Sequence, residues 1–90
     1  MIERFIQYIQ AEKRYSEHTV MAYKRDLEQF SSFLKKQYEI EDLLSVNSEI
    51  VRSYIIDLKD TGLKNRSVNR KISALRSFYN YCLHDPNLLT

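Results

Sequence analysis

Only one glycine and one proline occur among the ninety residues, and this shortage of turn-forming residues is the strongest constraint on the fold. Sheet proteins need frequent turns, flanked by strands in which apolar and polar residues alternate, and the sequence lacks that pattern. A chain of this length forms one domain with one hydrophobic core. We therefore predict a single all-α domain over residues 1–90.

Four segments carry apolar residues at three- and four-residue spacing, which predicts four amphipathic helices. They span about residues 2–14, 16–37, 47–62 and 65–85. Ser16, Asn47 and Asn65 are predicted to cap the second, third and fourth helices, and Gly62 is predicted to end the third. Pro86 is predicted to follow the end of the fourth helix. The residues of that helix predicted to point inward are Val68, Ile72, Leu75, Phe78, Tyr79 and Cys82.

The charge of the chain is unevenly distributed. Residues 37–60 hold six acidic and two basic side chains, whereas residues 61–90 hold five basic side chains and one acidic side chain, Asp85. The five cations all lie on or just before the fourth predicted helix; they are Lys64, Arg66, Arg70, Lys71 and Arg76. A basic helix can bind a polyanion or can simply be a solvated surface, and charge alone leaves both interpretations open.

The polar residues of the fourth helix form a stripe opposite its apolar side. At about 100° per residue, the stripe contains Arg66, Arg70, Ser73 and Ser77, flanked by Asn69, Lys71 and Ala74. Arginine bonds in a bidentate manner to guanine or phosphate, asparagine pairs with an adenine edge, and the major groove of DNA admits one helix. This pattern favours DNA binding. Ser16 and Thr19 repeat it at the start of the second helix, where the alternative is that both residues only cap the helix.

Two longer motifs carry a family resemblance. Residues 15–30, YSEHTVMAYKRDLEQF, fit the pattern S-x-x-T-x-x-x-Y-x-x-D-L-x-x-F. Residues 66–79, RSVNRKISALRSFY, fit S-[VI]-N-R-[KR]-[IL]-S-A-L-R-S-F-Y after their first arginine. With these motifs the sequence resembles the N-terminal core-binding domain of tyrosine recombinases, the phage-integrase and Xer-type group, over nearly all of its length.

The resemblance implies a SAM-like bundle of four main helices, orthogonally packed, that forms half of a C-shaped clamp around recombination-site DNA. Its second and fourth helices would lie in or near the major groove. The DNA contacts implied on the second helix are Thr19, Met21, Ala22 and Arg25. Those implied on the fourth helix are Arg66, Ser67, Asn69, Arg70, Lys71 and Ala74. The stripe deduced from helical spacing and the resemblance agree best at Arg66 and Arg70.

The resemblance also implies that catalysis belongs to a separate C-terminal domain, whose tyrosine forms a phosphotyrosyl link to DNA. None of those catalytic residues can be placed in this sequence. We therefore expect a non-catalytic N-terminal portion of a longer integrase, which acts with its own catalytic domain and with other recombinase protomers. The alternative is a helical protein-interaction module that does not bind DNA, since a fold does not fix a function.

Other candidate sites have weaker support. Tyr23, Tyr54 and Tyr79 lie on apolar stripes, so we predict that they pack in the core and are not nucleophiles. His18 and His84 have no partners at metal-ligand spacing, and we expect neither a metal nor a cofactor. Cys82 is predicted to be a small core residue. We predict no membrane span and no signal peptide, and a single cysteine, which cannot form an internal disulfide, suits a reducing cytoplasm.

Overall fold

The computed structural model describes residues 2–84 and contains four α-helices. They are α1 (Ile2–Ala11), α2 (Glu17–Tyr38), α3 (Ser48–Asp60) and α4 (Asn65–His84), and a short 3-10 turn at Leu43–Ser45 joins α2 to α3. Residues 2–84 contain no β-strand. The prediction of an all-α domain with four main helices is confirmed, whereas Pro86 and Asp85 lie outside the described residues.

Two of the three predicted N-caps are confirmed. The side chain of Ser16 accepts a hydrogen bond from the Thr19 backbone N–H, and the side chain of Asn47 accepts one from the Ile50 N–H. The prediction that Asn65 caps α4 is wrong, because Asn65 is the first residue of that helix. The Val68 N–H donates to the carbonyl oxygen of Lys64 at 3.0 Å, which places the cap position one residue earlier.

The helix ends are closed by left-handed backbone. Gly62, two residues beyond the end of α3, has φ 82°, as predicted for the left-handed residue that closes this helix. Glu39 closes α2 with φ 57°, a conformation that costs a residue with a side chain roughly 1–2 kcal/mol. Its backbone N–H donates to the carbonyl oxygen of Lys35, so one of the unpaired carbonyl groups at the helix end is satisfied. The first helix ends at Ala11, about one turn before the predicted end at residue 14.

The core consists of aromatic and aliphatic side chains from all four helices. Phe5 of α1 and Phe78 of α4 meet edge to face, with ring centroids 5.5 Å apart. Phe30 of α2 meets Tyr54 of α3 at 4.9 Å. Burial of each such ring contributes about 1.5–3 kcal/mol. The remaining buried apolar side chains are Ile9, Val20, Leu27, Leu34, Leu43, Val68, Ala74, Leu75 and Cys82.

The buried stripe of α4 is rotated relative to the predicted one. Ile72 and Tyr79, both predicted to point inward, are partly buried, and of the two Tyr79 packs against the core. The residues of α4 that are buried follow a spacing of three and four; they are Val68, Lys71, Ala74, Leu75, Phe78 and Cys82. The rotation places Lys71 and Ala74 on the buried side, where the Lys71 ammonium group pairs with Asp26 of α2.

Candidate nucleic-acid interface

The residues proposed for DNA contact lie on two helices that pack against each other, α2 and α4. Met21, Arg25, Arg66, Asn69 and Arg70 are exposed. Thr19, Ala22 and Ser67 are partly buried. Eight of the ten predicted contacts therefore retain surface that a ligand can reach.

A groove between α2, α3 and α4 brings four of the ten predicted contacts together. Arg25 of α2 and Ser67, Arg70 and Lys71 of α4 all line it, and its volume is about 540 Å³. Lys36 of α2 also lines this α2–α4 groove, and the one exposed acidic residue along it is Asp57 of α3. An excess of cationic side chains around a concave surface raises the local concentration of anionic ligands.

A buried carboxylate holds one of the predicted contacts. Asp26 Oδ2 accepts a hydrogen bond from Arg70 Nε at 3.0 Å, and Asp26 Oδ1 accepts one from Arg70 Nη2 at 2.9 Å. The Asp26 side chain is 1% exposed, whereas that of Arg70 remains 44% exposed. The hydrogen bond to Asp26 raises the pKa of Arg70 above its usual value. Arg70 is therefore anchored on one side and open to solvent on the other.

The prediction that Lys71 faces outward is wrong. Its side chain is 7% exposed, and Lys71 Nζ donates to Asp26 Oδ1 at 2.8 Å and also to Gln29 Oε1. Lys71 is buried because Asp26, on the facing side of α2, supplies the opposite charge that an ammonium group needs in the interior. In this conformation Lys71 is not available to phosphate.

The prediction that Ala74 flanks the outward stripe is also wrong. Ala74 is 0% exposed and forms part of the core. A methyl side chain lets two helix backbones approach closely, and Ala74 lies on the turn of α4 that follows Lys71, on the same buried side. Its small size therefore serves helix packing and cannot serve close approach to a DNA groove.

Thr19 takes part in the cap of α2. Capping was the alternative to DNA contact that the sequence left open for Ser16 and Thr19. Ser16 Oγ donates to Thr19 Oγ1 at 3.0 Å and accepts from the Thr19 backbone N–H at 3.2 Å. Ser16 is exposed and Thr19 is partly buried, so the capped end of α2 still borders solvent. Capping uses part of the hydrogen-bonding capacity of the two hydroxyl groups and leaves acceptor sites on both.

Comparison with known proteins decides the family. The family model described as "Phage integrase, N-terminal SAM-like domain" matches residues 2–85. The chain belongs to this family. The resemblance found in the sequence motifs is thereby confirmed, and the four-helix structure is consistent with it.

Curated relatives of this integrase domain bear the name "Tyrosine recombinase XerC". The protein from Listeria innocua is 43% identical over 88 residues, which cover 98% of this chain and 29% of the relative. The one from Anoxybacillus flavithermus is 40% identical over 81 residues, covering 90% of this chain and 27% of the relative. The chain thus spans little more than a quarter of the length of these relatives. No solved structure matches the chain.

Burial favours the protonated form of three tyrosines of this integrase domain. Burial raises the pKa of Tyr54 to about 12. Burial also raises the pKa of Tyr79, whose hydroxyl donates to the Leu43 carbonyl oxygen at 2.7 Å. Tyr23 is partly buried, and burial again raises its pKa. The prediction of a packing role is confirmed: Tyr54 is 3% exposed within the core, and Tyr23 and Tyr79 are partly buried and pack against it.

Asp26 is the residue of this surface that the sequence analysis did not assign to the site. It occupies the aspartate position of the first motif, three residues after Tyr23 and four before Phe30. That spacing places a carboxylate among the inward residues of α2, where it requires a cationic partner. The position of Asp26 among the inward residues of α2 was therefore the signal that could have identified it. Its cationic partners are Arg70 and Lys71.

The described residues of this domain offer neither a metal site nor a membrane-spanning helix. Within residues 2–84, no three side chains of His, Cys, Asp or Glu are grouped closely enough to hold a metal ion. His18 is exposed near the start of α2. No helix in that range has the length and apolar character needed to cross a bilayer.

Proposed function

We propose that this domain binds recombination-site DNA through α2 and α4, as the DNA-clamping part of a site-specific tyrosine recombinase. The observation that carries the proposal is the charge of α4. This helix contains no acidic residue, and it exposes Arg66, Asn69 and Arg70. The acid that pairs with Arg70 is buried, so it presents almost no negative surface to a phosphate backbone.

The polar groups on the two helices suit the two kinds of contact that DNA offers. Arg66 and Arg25 are exposed cations that can neutralise phosphates, which provides affinity without sequence preference. Asn69 and Arg70 carry the side chains that read adenine and guanine edges in the major groove. The acidic segment from Glu39 to Asp60 would face away from the duplex, apart from Asp57 at the groove, because proximity to phosphate would weaken binding.

Strand cleavage and rejoining are assigned in this proposal to a separate catalytic domain of the same polypeptide. The partners are then that domain, the DNA and further recombinase protomers, and the place of action is the cytoplasm. Support comes from the much greater length of the relatives, of which this chain covers 27% and 29% in two cases. In this scheme the chain orients DNA and does no chemistry itself.

The salt dependence of DNA binding tests the proposal. The 90-residue chain is titrated into a fluorescent duplex of mixed sequence at several KCl concentrations, and the logarithm of the association constant is plotted against that of the salt concentration. Each phosphate that is neutralised contributes a slope of about −0.9. Arg66→Gln should reduce the magnitude of the slope by about 1.

Arg52→Gln is the matched control. Arg52 is an exposed arginine on α3, in the acidic part of the chain, and its loss should leave the slope unchanged. A slope of zero for the wild-type chain would reject DNA binding and favour a protein-interaction module. Equal effects of the two substitutions would show that total charge, and not the α2–α4 surface, determines binding.

A further inference from the structure

The pairing of Asp26 with Arg70 uses one particular edge of the guanidinium group. The carboxylate bonds to Nε at 3.0 Å and to Nη2 at 2.9 Å, which is the side edge of the planar fork. The two N–H groups of Nη1 and the outward N–H of Nη2 remain as donors. One N–H of Nη1 and the outward N–H of Nη2 form the end edge, which can itself make a bidentate contact with guanine or phosphate.

The negative charge of Asp26 is balanced without using up the charge of Arg70. Lys71 Nζ lies 2.8 Å from Asp26 Oδ1, and both side chains are almost fully buried. One buried cation thus offsets the buried anion, and the guanidinium contributes a net positive charge at the surface. Gln29 accepts a further hydrogen bond from Lys71, which restrains the ammonium group from swinging toward solvent.

We propose that Asp26 is a positioning residue for DNA recognition, which holds the side edge of Arg70 so that the end edge is presented to the duplex in one orientation. The inference rests on the proposed function and adds a determinant of sequence preference to it. An arginine tethered by two hydrogen bonds loses less conformational freedom on binding than an unrestrained one. A fixed orientation also restricts which base edge can be reached, so it affects preference between sequences more than overall affinity.

The preference ratio of the chain measures this effect. A duplex is selected by the wild-type chain from a random-sequence DNA library, and its dissociation constant is compared with that of a scrambled duplex of the same composition. Asp26→Asn places an amide N–H against the guanidinium and breaks the two-bond contact. The ratio should then fall about 5-fold or more, the lower end of what a bidentate arginine contact provides.

Glu28→Gln is the matched charge control. Glu28 is an exposed acid on the same helix, so its substitution removes the same negative charge. It should strengthen binding to both duplexes alike and leave the ratio unchanged. In an Arg70→Ala background, Asp26→Asn should change the ratio by less than about 2-fold, because its effect passes through the missing guanidinium. A fall of equal size in both backgrounds would overturn the inference.

A second measurement needs no substitution at residue 26 and therefore does not depend on whether that variant folds. The Nε–H resonance of Arg70 is followed by nitrogen-15 NMR in the wild-type chain, alone and bound to the selected duplex. We expect the Nε–H proton to exchange slowly with water and to keep its chemical shift when DNA binds. The chemical shifts of the Nη groups should change. Loss of protection at Nε–H would show that Arg70 leaves Asp26 to bind DNA.

Failure of this inference is distinguishable from failure of the proposed function. Salt-dependent binding of the wild-type chain without any preference between duplexes would overturn the role of Asp26 and leave DNA binding intact. An Asp26→Asn variant that keeps the full preference ratio would likewise overturn the role of Asp26 and leave DNA binding intact. Absence of salt-dependent binding by the wild-type chain would overturn both.

Discussion

The hydroxyl group of Tyr79 in α4 donates a hydrogen bond to the backbone carbonyl oxygen of Leu43, 36 residues earlier in the chain, at 2.7 Å. Leu43 begins the 3-10 turn between α2 and α3, and its side chain is buried in the core. This hydrogen bond links the segment between α2 and α3 to α4. Tyr79 is thereby both an aromatic packing residue and an anchor for a segment that lacks α-helical structure.

Tyr79→Phe should destabilise the domain by about 0.5–1.5 kcal/mol, because the Leu43 carbonyl group loses its donor. The change is measured as a shift of the urea unfolding midpoint. Tyr38→Phe is the control, since the Tyr38 hydroxyl bonds to Ser53 Oγ at 2.9 Å at an exposed position. That control should cost less than about 0.5 kcal/mol. Equal losses in the two variants would contradict the anchoring role of Tyr79.

Tyr54→Phe should have the opposite effect. The hydroxyl of Tyr54 is buried, and it has no hydrogen-bond partner among the described residues. Removing an unsatisfied buried hydroxyl group relieves a desolvation cost of about 1–3 kcal/mol, so the variant should be as stable as the wild type or more stable. Urea unfolding at neutral pH gives the answer. A clear loss of stability, comparable to that of Tyr79→Phe, would mean that the hydroxyl is bonded in solution.

Stability should also fall at high pH through Tyr54. Its folded-state pKa of about 12 lies above the ordinary value of 10, so the folded state favours the neutral phenol. The contribution of the protonated Tyr54 to the free energy of unfolding is complete below pH 10 and is lost as the pH rises from 10 to 12. A shift of this size corresponds to roughly 2–3 kcal/mol. Thermal unfolding across that interval should show a smaller loss for Tyr54→Phe, and parallel curves for the two proteins would refute the assignment.

The helices and their N-terminal caps were largely predictable because they depend on local sequence. Ser16 and Asn47 precede amphipathic segments, and a side chain that accepts an N–H of the first turn needs no tertiary information. Gly62 was likewise identifiable from backbone freedom alone. The family resemblance also came from contiguous motifs. These features are encoded within one or two helical turns of sequence.

The orientation of α4 was less predictable because it depends on a charge on another helix. Helical spacing predicts that Lys71 and Ala74 flank the outer stripe, and the family resemblance implies the same. The partner that makes burial of Lys71 favourable is Asp26, 45 residues earlier in the chain. Spacing within α2 indicated that Asp26 points inward, but it could not indicate which of several cations would meet it.

Asp26→Ala should be among the most destabilising substitutions in the domain. It leaves Lys71 buried without its counter-ion, a change that typically costs about 3–5 kcal/mol. Lys71→Met is the informative comparison, since a methionine can fill the same space and Asp26 keeps both hydrogen bonds from Arg70. It should therefore cost clearly less. If urea unfolding gives the reverse order, the buried charge of Lys71 is not what Asp26 stabilises.

Ala74→Leu separates a packing role from a DNA-contact role. Ala74 is 0% exposed, so three additional carbon atoms should overpack the contact between α4 and its neighbours and cost about 1–3 kcal/mol. Ser73→Leu adds an apolar side chain at the adjacent, exposed position and should change the stability by less than about 0.5 kcal/mol. Thermal unfolding and DNA titration are measured on both variants. Lowered stability of Ala74→Leu, with unchanged DNA binding below its melting temperature, would support the place of Ala74 in the core. A normal melting temperature combined with weakened DNA binding would instead make Ala74 a DNA-contact residue.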